Sequence, residues 1–273
     1  MMATATREAY GAAEEKLAAG TATATAAQLT EVAAEILAVA GLLRGEPRLR
    51  RALTDPARPG QDRSELLVSL LGGKVSATAV DALAVLVAGR WSRPTELLNA
   101  AERLGVDATL SAADKSGKLA DVEDELFRFG QIVSGNPALA VTLSDPGAAA
   151  PRRAKLVEDL LKGKSQPATL RLVEVAIEGL GGRGFEASLT RLVELTAAKR
   201  DREVAYVTVA KPLADADEDR LGAKLSEIYG RQVSLKVAVD PRVIGGVSVR
   251  VGSDLYDGTI LRRLTEAKQA FAK

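Results

Sequence analysis

The stretch PRLRRALTDPARPGQDRSELLVSLLGGK, residues 47–74, returns as PALAVTLSDPGAAAPRRAKLVEDLLKGK at residues 137–164. Overlaid at an offset of 90, the two segments agree at 11 of 28 positions. A composition this rich in alanine and leucine gives about two or three such matches by chance. Asp55 falls on Asp145, Pro56 on Pro146, Arg63 on Arg153 and Gly73 on Gly163. Leu29/Leu119, Val32/Val122 and Glu35/Glu125 carry the register upstream. Apolar residues at three-four spacing between proline and glycine breakers predict short helices with tight connections. The chain therefore carries a duplicated helical module. Two copies fall short of the three or more that a solenoid needs, so two packed bundles are expected.

Outward from the repeat, the helical period runs through residues 1–200. It is carried by Leu29, Val32, Ala33, Ile36, Ala40 and Leu43, by Val80, Leu83 and Val87, and by Leu119, Val122, Leu126 and Phe129. Leu170, Val173, Ile177, Leu189, Leu192 and Val193 continue it. After residue 201 the pattern changes. REVAYVTVAKP (202–212) reads as a strand ended by proline, and DADEDRLGAKLSEIYG reads as a helix with Leu221, Leu225 and Ile228 inward. Acidic residues in the first turn of that helix suit its dipole. Val233, Leu235, Val237 and Val239 alternate with Ser234, Lys236 and Ala238, the period of a half-buried strand. Val247, Val249 and Val251 give a third strand, and Asp257 is read as the N-cap of a final helix with Ile260, Leu261, Leu264 and Phe271 inward. The fold class is α+β multidomain. A first bundle copy is expected over 1–112, a second over 113–200, and a small α+β domain over 201–273.

Composition narrows the function. The 37 Lys and Arg nearly cancel the 36 Asp and Glu, whereas nucleic-acid binding needs surplus cations to displace phosphate counterions. Cysteine and histidine are both absent, which removes thiol chemistry, Cys-zinc sites, the commonest general base and the commonest transition-metal ligand. The segment MMATATREAYGAAEEKL has no apolar core of a secretory signal, and no uninterrupted run of about 18 apolar residues occurs. A cytoplasmic protein is expected, reaching a membrane only through a partner.

Several motifs invite a sharper reading. Gly179-x-Gly181-x-x-Gly184 has the spacing of a dinucleotide fingerprint, but that motif works only between a strand and a helix. The residues before it, LRLVEVAIE, have helical period, so a flexible helix–helix connection is the better reading. LLGGKVS and LLKGKSQ lack the first glycine of a phosphate loop. The acidic groups Asp121, Glu123, Asp124, Glu125 and Asp215, Asp217, Glu218, Asp219 read as solvated helix starts rather than acid–base or calcium sites. Trp91 reads either as core packing, which is the more common case, or as a partner anchor.

The most specific stretch is VDPRVIGGVSVRVGSDLYDGTILRRL, 239–264. Asp240–Pro241 starts a turn at the end of a strand, and Gly245–Gly246 permits dihedrals or a close backbone approach that side chains would forbid. Gly252 and Asp254 close a hairpin-like corner. None of these residues forms a reaction centre.

This stretch closely resembles the signature of the F-type ATP synthase delta subunit, the family of the mitochondrial oligomycin-sensitivity-conferring protein. Asp240, Val243, Gly245, Gly246, Val247, Val249, Arg250 and Gly252 meet the pattern, and DGTILRRL, with Asp257 and Gly258, resembles the start of the family's last helix. VAKPLAD (209–215) resembles the preceding strand end, and VEDELFRFGQIVSGNPAL (122–139) is similar to the long actinobacterial form. Ordinary members have one helical bundle; this chain has the duplication. The resemblance implies a non-catalytic stator subunit with no cofactor, no metal, no nucleic-acid partner and no active site of its own. Its implied partners are alpha subunits, through their N-terminal helices, and b-type stalk subunits. It implies one copy per complex, no homo-oligomer, and a place at the cytoplasmic face of the cell membrane within the ATP synthase. Candidate stalk contacts are Leu261, Arg262 and Leu264; candidate groove residues for the alpha helix are Tyr10, Leu29, Ile36, Leu83 and Val87.

Overall fold

The computed structural model describes residues 4–264. These residues form two compact units, one holding residues up to 126 and 136–189, the other holding 127–135 and everything from 190. The first is all helical and the second is built on a four-stranded sheet, the α+β multidomain class that the sequence implies.

The helices are α1 (Thr4–Gly20), α2 (Ala26–Gly45), α3 (Pro47–Leu53), α4 (Gly60–Leu71), α5 (Ala77–Ala88), α6 (Pro94–Lys115), α7 (Leu119–Ser134), α8 (Pro137–Ser144), α9 (Ala150–Leu161), α10 (Pro167–Glu178) and α11 (Phe185–Lys199). At the offset of 90, α4 lands on α9 and α5 on α10 with identical ends. The tertiary hydrogen bonds repeat as well. Arg63 donates to the Leu53 and Ala88 carbonyls, and Arg153 donates to the Leu143 and Ile177 carbonyls. Each guanidinium thus covers the orphan carbonyls at the C-terminal ends of two helices at once. Glu35 accepts from the Ser76 amide at 3.0 Å, and Glu125 accepts from the Gln166 amide at 2.8 Å. Here a carboxylate on one helix satisfies the N-terminus of another. The duplication is one of interactions and not only of letters.

Helix α6 packs against α1, α2, α3 and α5 of the first copy and against α10 of the second. Helix α6 therefore closes the first copy and also forms part of the second. A helix serving two bundles has no face left for solvent. From Leu97 to Ala113 every residue but Asn99, Arg103 and Ser111 is buried. The expected boundary at residue 112 falls inside this shared helix. Gly105 lets it approach α2 closely: a Cβ there would lie 2.6 Å from Leu37 Cδ2.

By length and composition the 20-residue α2 is long and apolar enough to cross a membrane. In the fold it is a core helix: Leu29 is buried, and Val32, Ala33, Ile36, Val39, Ala40 and Leu43 belong to the core of the first bundle. Its start is fixed by a capping box in which Thr25 and Gln28 satisfy each other's amides.

In the second unit β1 (Arg202–Val209), α12 (Asp215–Tyr229) and β2 (Gln232–Val239) form a parallel crossover, and β3 (Val247–Val251) and β4 (Asp254–Asp257) add antiparallel strands. The strand order is β2-β1-β3-β4. The strand β4 stands where the sequence suggests only a corner, since Gly252 at φ +56° turns the chain tightly enough for pairing to resume. Ala205, Val207, Val249, Val251 and Leu225 make the core, with Leu221 and Tyr229 beside them. Ile228, read as inward, is instead 57% exposed. The i, i+4, i+8 positions 221, 225 and 229 face the sheet, and 228 lies off that line.

The β2 strand departs from the expectation: Val233, Leu235 and Val237 are half-buried, Val239 is exposed, and Ser234 and Lys236 are buried. Their face of the sheet is covered by Phe127, whose ring lies 6.3 Å from that of Tyr206 and 5.9 Å from Lys236 Nζ. Lys236, Tyr206 and Arg250 stand in register across three strands. Arg250 lies 4.6 Å over the Tyr206 ring, a cation–π contact. Phe271, expected in the final helix, lies outside the described residues.

Candidate functional site

The signature residues converge on one small structure, a seat for the start of the last helix. Beyond β2, Asp240 accepts from the Arg242 amide at 3.0 Å and holds the Arg242 guanidinium at 2.9 Å, which fixes a single helical turn over Pro241–Val243. These bonds from Arg242 hold the Asp240 carboxyl below the usual carboxylate range. Ile244 then takes φ +67°, an uncommon value for a β-branched residue, and Gly246 takes φ +79°. The glycine pair is needed because the chain passes directly beneath residues 258–260. A Cβ on Gly246 would lie 2.4 Å from the Gly258 carbonyl oxygen, and one on Gly245 would lie 2.7 Å from Ile260 Cδ1. Two backbone bonds tie the layers, Gly258 N–H to Val247 O and Ile260 N–H to Gly245 O, both 2.9 Å.

The cap of that helix differs from the sequence reading. Asp257, the expected N-cap, ends β4 and accepts from the Thr259 amide at 3.0 Å, a bond that lowers its pKa. The capping bond itself belongs to Thr259, whose Oγ1 accepts from the Arg262 amide at 3.2 Å. An N-cap side chain reaches the amide three residues on, and Thr259 stands three before Arg262. Val249 is buried in the sheet core and Val243 closes the short turn.

The seat displays apolar side chains to solvent. Ile244, Leu255, Ile260, Leu261 and Leu264 are all exposed, Leu255 at 62%. Leu261, Arg262 and Leu264, the candidate stalk contacts, are thus on the surface. Ile260, Leu261 and Leu264, expected inward, are partly exposed instead, although Ile260 Cδ1 lies over Gly245.

The candidate groove residues are placed differently. Leu29, Ile36, Leu83 and Val87 are buried in the first bundle, Ile36 completely, and offer no surface. Their three-four spacing marks the core face of α2 and α5, and periodicity alone does not separate a core stripe from a docking stripe. Tyr10 is half-buried and its hydroxyl donates to Asp107, which also binds Arg103 Nε at 2.8 Å. Burial and then Asp107 push the Tyr10 hydroxyl pKa upward. Trp91 is core: its indole N–H donates to the Leu86 carbonyl at 3.1 Å. Glu123, expected on a solvated face, is buried, because it stands four after Leu119 and three before Leu126 on the apolar side of α7.

No group of three acidic, histidine or cysteine residues placed to hold a metal ion occurs among the described residues. The Gly179–Gly184 run joins α10 to α11 with no strand before it, so the dinucleotide geometry is missing.

Comparison with known proteins agrees with the signature. The family model described as ATP synthase delta (OSCP) subunit matches residues 106–271. A protein named ATP synthase subunit delta from Salinispora arenicola is 60% identical over 273 residues, covering 100% of both chains. Its namesake from Streptomyces griseus is 45% identical over 99% of this chain and 100% of its own. A chain of the Toxoplasma gondii mitochondrial ATP synthase hexamer is similar over 62% of this chain and 95% of its own, at 18% identity and a TM-score of 0.38, too low to carry an argument.

Proposed function

The chain belongs to the ATP synthase delta (OSCP) subunit family, and from that premise we propose that it is a non-catalytic stator element of the F-type ATP synthase. In this reading it joins the alpha subunits of the catalytic head to the b-type stalk subunits. The head is thereby held still while the rotor turns. It works at the cytoplasmic face of the membrane as one copy per complex, and it makes or breaks no bond itself.

The observation that carries the reading is the glycine-built seat with its exposed apolar rim. Two glycines, a strained isoleucine and a capped helix start hold Ile244, Ile260, Leu261 and Leu264 exposed beyond the Val247 end of β3, and Leu255 is exposed further along the edge strand β4. An amphipathic helix docks onto such a rim by its apolar stripe. We assign this rim to the C-terminal helix of a b-type chain, with Arg262 beside it. The alpha N-termini are assigned to the helical unit. Its second bundle copy is favoured, because the family match begins at residue 106 and leaves most of the first copy outside. Two weak contacts made at once gain avidity of roughly 10²–10⁴ through effective concentration, and a two-ended connector uses that gain.

Titration of the full chain with a b-type C-terminal peptide tests the assignment. Leu261→Glu with Leu264→Glu is expected to weaken that peptide by about ten-fold or more, since each change buries a charge in an apolar contact, and to leave an alpha N-terminal peptide unaffected. Unchanged binding of the b-type peptide refutes the rim.

A further inference from the structure

The Gly179-x-Gly181-x-x-Gly184 run has no part in the stator reading, yet its geometry is specific. Gly179, Gly181 and Gly182 take φ of +83°, +61° and +74°, values that favour glycine. The turn they build points the Gly181 amide at α6, where it donates to Glu102 Oε2 at 2.9 Å. The other oxygen of Glu102 accepts from Arg44 Nη2 on α2 at 2.6 Å, and Arg44 Nη1 reaches Glu178 at the end of α10 at 2.7 Å. Glu102 is only 2% exposed. A buried carboxylate is tolerated when its charge is paired and both oxygens are bonded, and here one oxygen is served by each copy of the module.

The network does not repeat. At the offset of 90, Glu102 corresponds to Leu192, Arg44 to Ser134 and Gly181 to Trp91. The Arg63/Arg153 and Glu35/Glu125 bonds recur in both copies, whereas this network joins one copy to the other. The shared helix α6 joins the two copies along one axis by apolar packing. A charged contact running from α2 through α6 to the loop after α10 adds a polar tie between them.

We infer that Glu102 is a positioning pin locking the two bundle copies into one rigid body, with the glycine run as its receptor and not as a nucleotide loop.

The test uses the full chain, which has no cysteine of its own. Spin labels go on Ser69→Cys in α4 and Asp159→Cys in α9, exposed equivalent positions of the two copies. The parent is expected to give one narrow distance distribution by pulsed electron resonance. Glu102→Gln and Arg44→Met are expected to broaden it. They should also speed amide exchange at Gly181 by about ten-fold or more, the scale of a lost bond to a charged group, with the α4 and α5 interior amides unchanged. Glu102→Asp, a milder change, should fall between. An unchanged distribution with unchanged Gly181 exchange overturns the pin. So does loosening of α4 and α5 in every variant, which would make Glu102 a general core residue. Binding of ATP or NAD that is abolished by Gly181→Ala overturns the assignment of the loop.

Discussion

Replacing Gly246 by alanine tests whether the signature glycines are a seat for the last helix. At φ +79° a Cβ brings about 1–2 kcal/mol of backbone strain. That atom would also lie 2.4 Å from the Gly258 carbonyl oxygen and 3.0 Å from Thr259 Cα. Both are backbone atoms, so relief requires the 258–260 layer to move. That movement loosens the two 2.9 Å bonds to Val247 and Gly245, each worth about 1 kcal/mol net. The sum is about 3–4 kcal/mol, a large part of the roughly 5–15 kcal/mol that holds a domain folded. Gly252→Ala is the control. Its φ is +56° but the nearest atom, Glu203 Oε1, is 3.7 Å away, so only the strain of about 1–2 kcal/mol applies. Urea unfolding with two probes separates the units: far-UV circular dichroism sees both, and the fluorescence of Trp91 reports on the first bundle. Gly246→Ala should move the transition of the sheet unit to lower urea and leave the Trp91 midpoint in place. A loss for Gly246→Ala no greater than that for Gly252→Ala refutes the seat.

Three further outcomes follow from the same geometry. Glu125→Ala removes the acceptor of the Gln166 amide and the Thr169 hydroxyl, and Glu35→Ala removes that of Ser76; each should cost about 1–3 kcal/mol in thermal or urea unfolding, with similar values because the copies share the interaction. Gly41→Ala, in an exposed helix interior with nothing within 4 Å of the added Cβ, should stabilise by about 0.5–1 kcal/mol in the same measurement. Asp240 and Asp257 have pKa values held down by Arg242 and by the Thr259 amide respectively; a carboxyl lowered in the folded state stabilises above its unfolded value of about 3.9 and loses that effect as pH falls through the folded value. Acid titration of the Asp240→Asn/Asp257→Asn variant should therefore show a flatter loss of sheet-unit stability below about pH 4 than the parent does.

Much of this was legible in the residues. The offset of 90 predicts α4/α9 and α5/α10 because proline, glycine and leucine spacing encode helix ends and faces directly. Gly245 and Gly246 announce a close approach, although their partners, Gly258 and Ile260, come from the other side of a hairpin and appear only in the fold. The sharing of α6 was hidden because its polar residues Glu102, Asp107 and Thr109 break the apolar stripe that would announce a helix covered on all sides, yet all three are buried. Leu29, Ile36, Leu83 and Val87 show the limit of periodicity, which reports an apolar face and not what covers it. Thr259 outcompetes Asp257 as cap because β4 extends through 257, a pairing no local signal predicts. The pin at Glu102 lies beyond sequence reading, since its three groups are spread over residues 44–181.

The proposed connector holds two different proteins at once, at separate places. Adding an alpha N-terminal peptide and a b-type C-terminal peptide together to the intact chain, and reading the mass of the complex, examines it without intermediaries. A ternary complex in which neither peptide displaces the other is predicted; peptides that compete for one place, or a chain that takes neither, would contradict it.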